Sequence, residues 1–342
     1  MATMADVAKA ANVTIPTVSK VISGRCGTTW VSKSTRKRIL DTATKLGYQK
    51  HIGASQLKRG CSDNIGVVIS RFGSPFYGKL LSELAKLCEK DGKNMVPLLI
   101  ADQELCVQKS KLALLQRRVD GIINLESTPQ KYHDCPPKNL PIVSRKWLTN
   151  KSKTDNFFDV LVNYQTCFEQ LIEIMIKYNR ESFGLLAALS EESTNDMDNS
   201  KIQLFQQTLK KYQIQNELIT KVVIKNDDNA CQRVYRETLK MLRNNRDLDC
   251  LIVDSGEYAV AVYTAIKHAG RIVGSDLAVA AWTDVFTNTV LDPPLAVFDE
   301  PHDEVAIALY SLLKQSILNS DKPSDTTVIE AKLILRASLG MI

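Results

Sequence analysis

Apolar positions fall into two rhythms, and the change between them comes near residue 64. In the first sixty residues they recur at helical spacing. Met4, Val7, Ala8 and Ala11 make one face of a helix with Thr3 as N-cap and Asp6 at N3. A second helix runs from Ile15 or Pro16 to Ile22, with Thr14 as cap, Pro16 in the first turn and Gly24 as stop. Ile39, Leu40, Ala43 and Leu46 stripe a third helix that opens at Ser32 or Ser34 and ends at Gly47. Three short helices with a tight turn between the first two form a helix-turn-helix pattern. Residues 48–63 are polar and basic, broken by Gly53 and Gly60, and read as a linker. From Asn64 onward, apolar runs of four to eight residues alternate with helical stretches. The strands predicted are 65–70, 95–100, 121–125, 141–144, 160–163, 183–188, 218–224, 250–253, 277–282, 295–298 and 328–335. The helices predicted are 76–91, 104–117, 165–179, 199–213, 229–244, 257–269 and 302–318. Unbroken apolar strands between helices imply parallel sheets covered on both faces. This stretch exceeds one comfortable sheet, so it divides into two α/β subdomains, with Thr149–Asp159 as the first crossing.

Charge sharpens that division. The chain of 342 residues carries a net +6, yet residues 1–60 hold eleven Lys/Arg against Asp6 and Asp41, a net +9, which leaves −3 for the rest. A basic head on a mildly acidic body points to a polyanionic partner for the head. The N-terminal residues lack the basic and apolar regions of a Sec signal, and no apolar run approaches the roughly 20 residues of a membrane helix. Eight cysteines are scattered singly without Cys-x-x-Cys spacing, and four histidines are isolated, so neither metal nor disulfide framework is read; free thiols fit a reducing cytoplasm. No G-x-S-x-G, P-loop or G-x-G-x-x-G motif occurs, and no enzyme or cofactor is expected.

In the head, Asp6-Val-Ala-Lys-Ala-Ala-Asn-Val-Thr-Ile-Pro-Thr-Val-Ser-Lys-Val-Ile-Ser-Gly24 precedes Val31-Ser-Lys-Ser-Thr-Arg-Lys-Arg-Ile-Leu40. Ala8, Val13, Val18, Val21 and Ile22 suit the packing of two crossed helices, while the second helix presents Ile15, Pro16, Thr17, Ser19 and Lys20 at its start. A helix N-terminus in a major groove offers base-edge contacts and N–H groups for phosphate. Thr17, Ser19, Lys20, Ser32, Arg36 and Lys37 are of phosphate-binding types. Ile15 and Pro16 suit apolar contact with a thymine methyl, and Lys20 can reach a guanine edge.

This head, with Val31–Tyr48, resembles the lactose-repressor (LacI/GalR) family of bacterial transcription regulators. The likeness continues thinly through Ile65-Gly-Val-Val, Ser74-Pro-Phe-Tyr, Arg118-Val-Asp-Gly-Ile-Ile, Leu140-Pro-Ile-Val, Pro294-Leu-Ala-Val and Arg336. The resemblance implies an α/β chain in three parts. These are a three-helix DNA-binding head (1–47), a hinge helix or linker (48–62), and a periplasmic-binding-protein-like sensor and dimerisation domain with parallel sheets (63–342). The sensor is expected to form an N-subdomain of about 63–158 and 294–320 and a C-subdomain of about 159–293 and 321–342. It implies a homodimer or tetramer on a pseudo-palindromic double-stranded operator in the cytoplasm, at the nucleoid and off the membrane, most often as a repressor. Ala54, Leu57 and Lys58 match the hinge, with Leu57 as the minor-groove wedge; Lys50 and Ser55 depart from the family's Pro and Arg. DNA contacts are expected from Thr14, Ile15, Pro16, Thr17, Ser19, Lys20, Ser32 and Arg36.

In the sensor, the family's three anchors for a small molecule between the lobes are all altered. Lys201 replaces an arginine, Ser255-Gly256 an Asn-Asp pair, and Thr283 an aspartate. Two readings follow. A sugar, a sugar phosphate or another anionic effector is held by Lys201, Ser255 and Thr283 between Phe76, Tyr77, Trp147 and Trp282, or the cleft has lost its ligand. With the alignment shifted by a residue or two, Asp254, Glu257 and Asp284 become ligand groups instead.

Overall fold

A computed structural model describes residues 2–23, 31–48, 61–69, 74–99, 116, 118–125, 140–148, 158–190, 200–224, 229–318 and 327–341. The chain forms two compact units, Met1–Ser62 and Asp63–Ile342.

In the first unit, α1 (Met4–Ala10), α2 (Ile15–Ser23) and α3 (Lys33–Lys45) pack around Val7, Ala8, Ala11, Val18, Val21, Ile39 and Ala43. A capping box opens α1: Thr3 Oγ1 accepts from Asp6 N (3.3 Å) while Asp6 accepts from Thr3 N (2.8 Å). Those bonds hold the Asp6 carboxyl below its ordinary pKa. Asn12 takes φ +50° in the turn to α2, a conformation asparagine tolerates better than most residues. Ser32 caps α3 through Thr35 N (3.2 Å). Gly47, at φ +61°, turns the chain so that Tyr48 N reaches Ala43 O (2.9 Å) and Tyr48 packs on the head's core.

The second unit holds two six-stranded sheets. The first is built from β1 (Asn64–Ile69), β2 (Asn94–Leu99), β3 (Gly121–Asn124), β4 (Ile142–Trp147), β5 (Phe158–Asn163) and β11 (Thr327–Glu330), in the order β11-β5-β4-β3-β1-β2. The second contains β6 (Phe183–Ser190), β7 (Glu217–Ile224), β8 (Cys250–Val253), β9 (Ala278–Trp282), β10 (Ala296–Asp299) and β12 (Lys332–Ile334), in the order β12-β10-β9-β8-β6-β7. All pairings are parallel except β10 with β12. The helices are α4 (Pro75–Lys90), α5 (Gln165–Lys177), α6 (Ser200–Lys211), α7 (Ala230–Asn244), α8 (Ala259–His268) and α9 (His302–Leu318). α9 packs back on α4 and the first sheet.

The lobes therefore divide at other points than the sequence suggests. The expected C-subdomain began at 159, yet β5 pairs with β4 from Val143↔Phe158 to Trp147↔Val162, so the chain crosses only after Asn163. Of the stretch 294–320, expected in the first lobe, α9 does pack on the first sheet, but β10 pairs with β9 in the second. The run predicted as one strand, 328–335, splits around Ala331, and its first half joins β5 in the first sheet. Each crossing (Tyr164, Glu300-Pro301 and Ala331) is only a residue or two long, too short to show as a polar run, whereas the polar run predicted as a crossing leads into β5. The helix expected at 104–117 lies outside the described residues apart from Gln116, as do hinge residues Ala54, Leu57 and Lys58.

Candidate functional site: a helix-turn-helix and an interlobe cleft

The head exposes one edge of α2. Thr14, Ile15, Pro16, Ser19 and Lys20 are exposed and Thr17 is half-buried, while Val18 and Val21 point into the core. Ile15 is 49% exposed. Thr14 and Thr17 share a hydroxyl contact of 2.9 Å, which sets the first turn. Ser32 and Arg36 lie exposed at the start of α3.

In the body, three short crossings meet a buried charged cluster. Glu300 follows β10 and is 4% exposed. Its carboxylate accepts from Arg145 of β4, with Nε to Oε2 at 2.9 Å and Nη2 to Oε1, and from the Tyr164 hydroxyl at the next crossing. Asn163 Nδ2 donates to the Glu330 carboxylate (2.9 and 3.1 Å) and Ala331 N to Asn163 O (2.9 Å), which ties the remaining crossings. Burial pushes the Tyr164 hydroxyl pKa up, so it stays a donor. The Arg145 guanidinium also sits 4.9 Å from the Phe76 ring, and Phe76 tilts against His302 at 5.5 Å. Burial holds the His302 pKa down, its Nδ1 lies 2.6 Å from Glu300 O, and its Nε2 has no hydrogen-bond partner among the described residues.

Further into the cleft, Lys201 Nζ contacts Asp254 through the carbonyl (2.7 Å) and the carboxylate (3.0 Å). It lies 5.4 Å from the Trp282 ring and 5.9 Å from the Trp147 ring. Trp147 stacks on Tyr164 at 4.1 Å, and Trp282 on Phe168 at 5.7 Å. Trp282 is 1% exposed and its Nε1 has no hydrogen-bond partner among the described residues. Contacts among the described residues join the lobes directly: Ser74 Oγ donates to Glu257 Oε1 (2.6 Å), and Lys79 Nζ donates to Asp284 O (2.7 Å) and lies 4.0 Å from Asp299 Oδ2.

Of the residues expected to hold an effector, Lys201, Trp147 and Trp282 come together. Phe76 and Tyr77, edge-to-face at 5.2 Å, belong to the Arg145–His302 side. Ser255 caps a short turn by accepting from Glu257 N (3.2 Å). Thr283 stands at φ +71°, where a β-branched side chain is strained, and its N–H is bonded to Phe298 O. Gly256 has a steric reason: a Cβ there would meet Asn288 Nδ2 at 2.3 Å and Thr283 O at 2.4 Å. Lys201 is thus no unpaired anion anchor, since a carboxylate already holds its charge. The three carboxylates of the shifted alignment are also engaged, Asp254 by Lys201, Glu257 by Ser74 and Asp284 by a two-pronged Arg336 contact (2.9 and 2.6 Å). Arg145, Tyr164, Glu300 and His302 escaped the sequence reading. The one available signal was an Arg-Lys pair inside the otherwise apolar strand β4.

A cavity of about 530 Å³ opens beside this cluster, against Trp147, Asn163, Tyr164 and α6. Among the described residues, no group of three or more His, Cys, Asp or Glu could hold a metal, and no helix is long and apolar enough to cross a membrane.

An exposed helix-turn-helix and a two-lobed, doubly sheeted body define a DNA-binding regulator with a sensor-type domain. Residues 3–51 match the model of bacterial regulatory proteins of the lacI family, and residues 174–339 that of a periplasmic binding protein-like domain. The chain is 23% identical to the ribose operon repressor of Haemophilus influenzae, over 99% of both chains. It is 26% identical to the maltose regulon regulatory protein MalI of Escherichia coli, over 97% of both. Its fold matches that of the lac repressor dimer bound to operator and the anti-inducer ONPF, with TM-score 0.83, 19% identity and 99% of each chain covered. The chain thus joins a lacI-family DNA-binding domain to a periplasmic-binding-protein-like domain. It is a DNA-binding transcription regulator, not an enzyme.

Proposed function

We propose that the protein is a repressor that binds a pseudo-palindromic operator as a homodimer in the cytoplasm, at the nucleoid, and that a small molecule bound by the body changes its operator affinity. The observation that carries this reading is the exposed N-terminal edge of α2, where Thr14, Ile15, Pro16, Ser19 and Lys20 are presented by a packed three-helix core. Thr17, Ser32 and Arg36 serve as phosphate contacts beside them. Relatives named as repressors of a ribose operon and a regulator of a maltose regulon support control by a sugar or sugar phosphate. Ala54, Leu57 and Lys58 form the hinge, with Leu57 wedging a central base step. The effector acts only through unequal affinity for two lobe arrangements. A second reading, regulation without a ligand, is favoured by one observation: Lys201, Asp254, Glu257 and Asp284 are already bonded within the protein.

Selection from a random duplex pool tests the DNA reading. A recovered palindrome with a flexible central step supports it, and sequence-indifferent binding refutes it. Leu57→Ala should weaken operator binding more than binding to random DNA.

A further inference from the structure

The expected effector residues and the open space do not coincide. Of Phe76, Tyr77, Trp147, Lys201, Ser255, Trp282 and Thr283, only Trp147 lines the cavity of about 530 Å³. The centre of the cleft is filled by the chain itself, with Trp282 fully buried between Phe168 and Phe298 and Lys201 held by Asp254. The cavity lies to one side, between the start of α5, one face of α6 and the end of β4.

From its lining we infer that this side cavity is the protein's ligand site, and that it takes an uncharged, hydroxyl-rich small molecule with one C–H face. The inference rests on the reading of the body as a sensor. The cavity's volume falls in the range of roughly 300–1,000 Å³ usual for small-molecule sites. Ser200, Gln203 and Gln207 recur along one face of α6, and Asn163 and Gln165 line the space opposite them with their amide nitrogens bonded to Glu330 and Glu169. Carboxamides and a hydroxyl both donate and accept, which matches hydroxyl groups rather than a fixed charge. Among the described lining residues, the one carboxylate and the one ammonium cancel, because Lys211 Nζ lies 2.7 Å from Glu169 Oε1. Nothing among those residues therefore repays the desolvation of an ionic ligand. The Trp147 indole supplies the flat apolar surface for a C–H face. Asn163 is pre-set by its bonds to Glu330 and to Gln165 N (3.0 Å), so its amide needs little ordering on binding. Trp147 and Leu148 come from the first lobe, and α5 and α6 pack with the second. A molecule seated here touches both lobes and senses their separation.

The test is calorimetric titration of the full chain with glucose, ribose, maltose, lactose and myo-inositol, and with glucose 6-phosphate as the charged probe. Operator binding is measured with and without each. Gln207→Trp fills the cavity from an exposed position, and Ser255→Ala alters the central cleft. The expected result is that at least one neutral compound binds, glucose 6-phosphate binds at least tenfold more weakly than glucose, Gln207→Trp weakens binding thirtyfold or more, and Ser255→Ala less than threefold. Binding lost in Ser255→Ala but kept in Gln207→Trp overturns the site and leaves the sensor reading standing. Binding lost in Gln207→Trp with no change in operator affinity supports the site and removes the sensor reading. No binding of any neutral probe at 10-millimolar scale overturns the site.

Discussion

Replacing Glu300 by Gln should destabilise the body by about 3–5 kcal/mol, the cost of leaving one charge of a buried pair without its partner. The substitution keeps the side chain's size, so no cavity contributes. It leaves the Arg145 guanidinium, whose side chain is 6% exposed, facing a neutral amide. The amide oxygen can still accept from Tyr164, so the loss reads on the ion pair rather than on the hydroxyl. The change falls where the chain crosses between lobes, so both sheets should feel it. Urea unfolding followed by the fluorescence of Trp147 and Trp282 reports the body's transition, and an unchanged slope with a lower midpoint shows a pure stability effect. Replacing both partners, Arg145→Met with Glu300→Leu, should recover most of the loss, because a buried pair exchanged for apolar groups is often neutral or stabilising. A loss below about 1 kcal/mol for Glu300→Gln, or a double variant worse than the single one, would refute the picture of a desolvated pair.

Three further outcomes follow from the cleft's geometry. Gly256→Ala should cost at least about 2 kcal/mol in the same assay, since its Cβ would lie 2.3 Å from Asn288 Nδ2 and 2.4 Å from the Thr283 carbonyl oxygen. Thr283→Gly should raise stability by about 1 kcal/mol by relieving a left-handed, β-branched residue; a loss would show that its side chain makes contacts outweighing the strain. His302 is held neutral by burial, against the pull of Asp299 and Asp303 and with help from Lys79 and Arg145. Its folded pKa is below the ordinary 6.5, so its contribution is complete above that pH and is lost as pH falls from about 6.5 toward the folded pKa. The stability difference between the parent and His302→Phe should therefore shrink between pH 7 and pH 5, and a flat difference would argue against a neutral buried imidazole.

The head was legible almost residue by residue, because its helices are short, capped and stabilised by local contacts. Thr3 and Asp6 form the expected box, and Ser32 opens α3. In the body, the alternation of apolar runs and helical stretches located the strands, but the division into lobes failed. Periodicity reports burial, and Ile329, Ala331, Leu333 and Ile334 are buried or half-buried whichever sheet each half joins. The site was half legible. Aromatic residues and Lys201 announced a cleft, but Arg145 and Glu300 are 155 positions apart, and no local pattern says that two such residues will neutralise each other.

The division of residues 327–334 between two sheets has a consequence for synthesis. β11 closes an edge of the first sheet and β12 an edge of the second, with only Ala331 between them. α9, which covers the first sheet, also follows almost the whole of the second lobe in the chain. A ribosome releasing the chain from its N-terminus frees the head, with its local contacts, to fold hundreds of residues before either lobe has all its strands. A nascent chain will thus carry a finished DNA-binding unit in front of an unfinished body. Chains cut before residue 327 lack an edge strand in both sheets at once, so premature termination there should yield a folded head without a complete body rather than a protein with one working lobe.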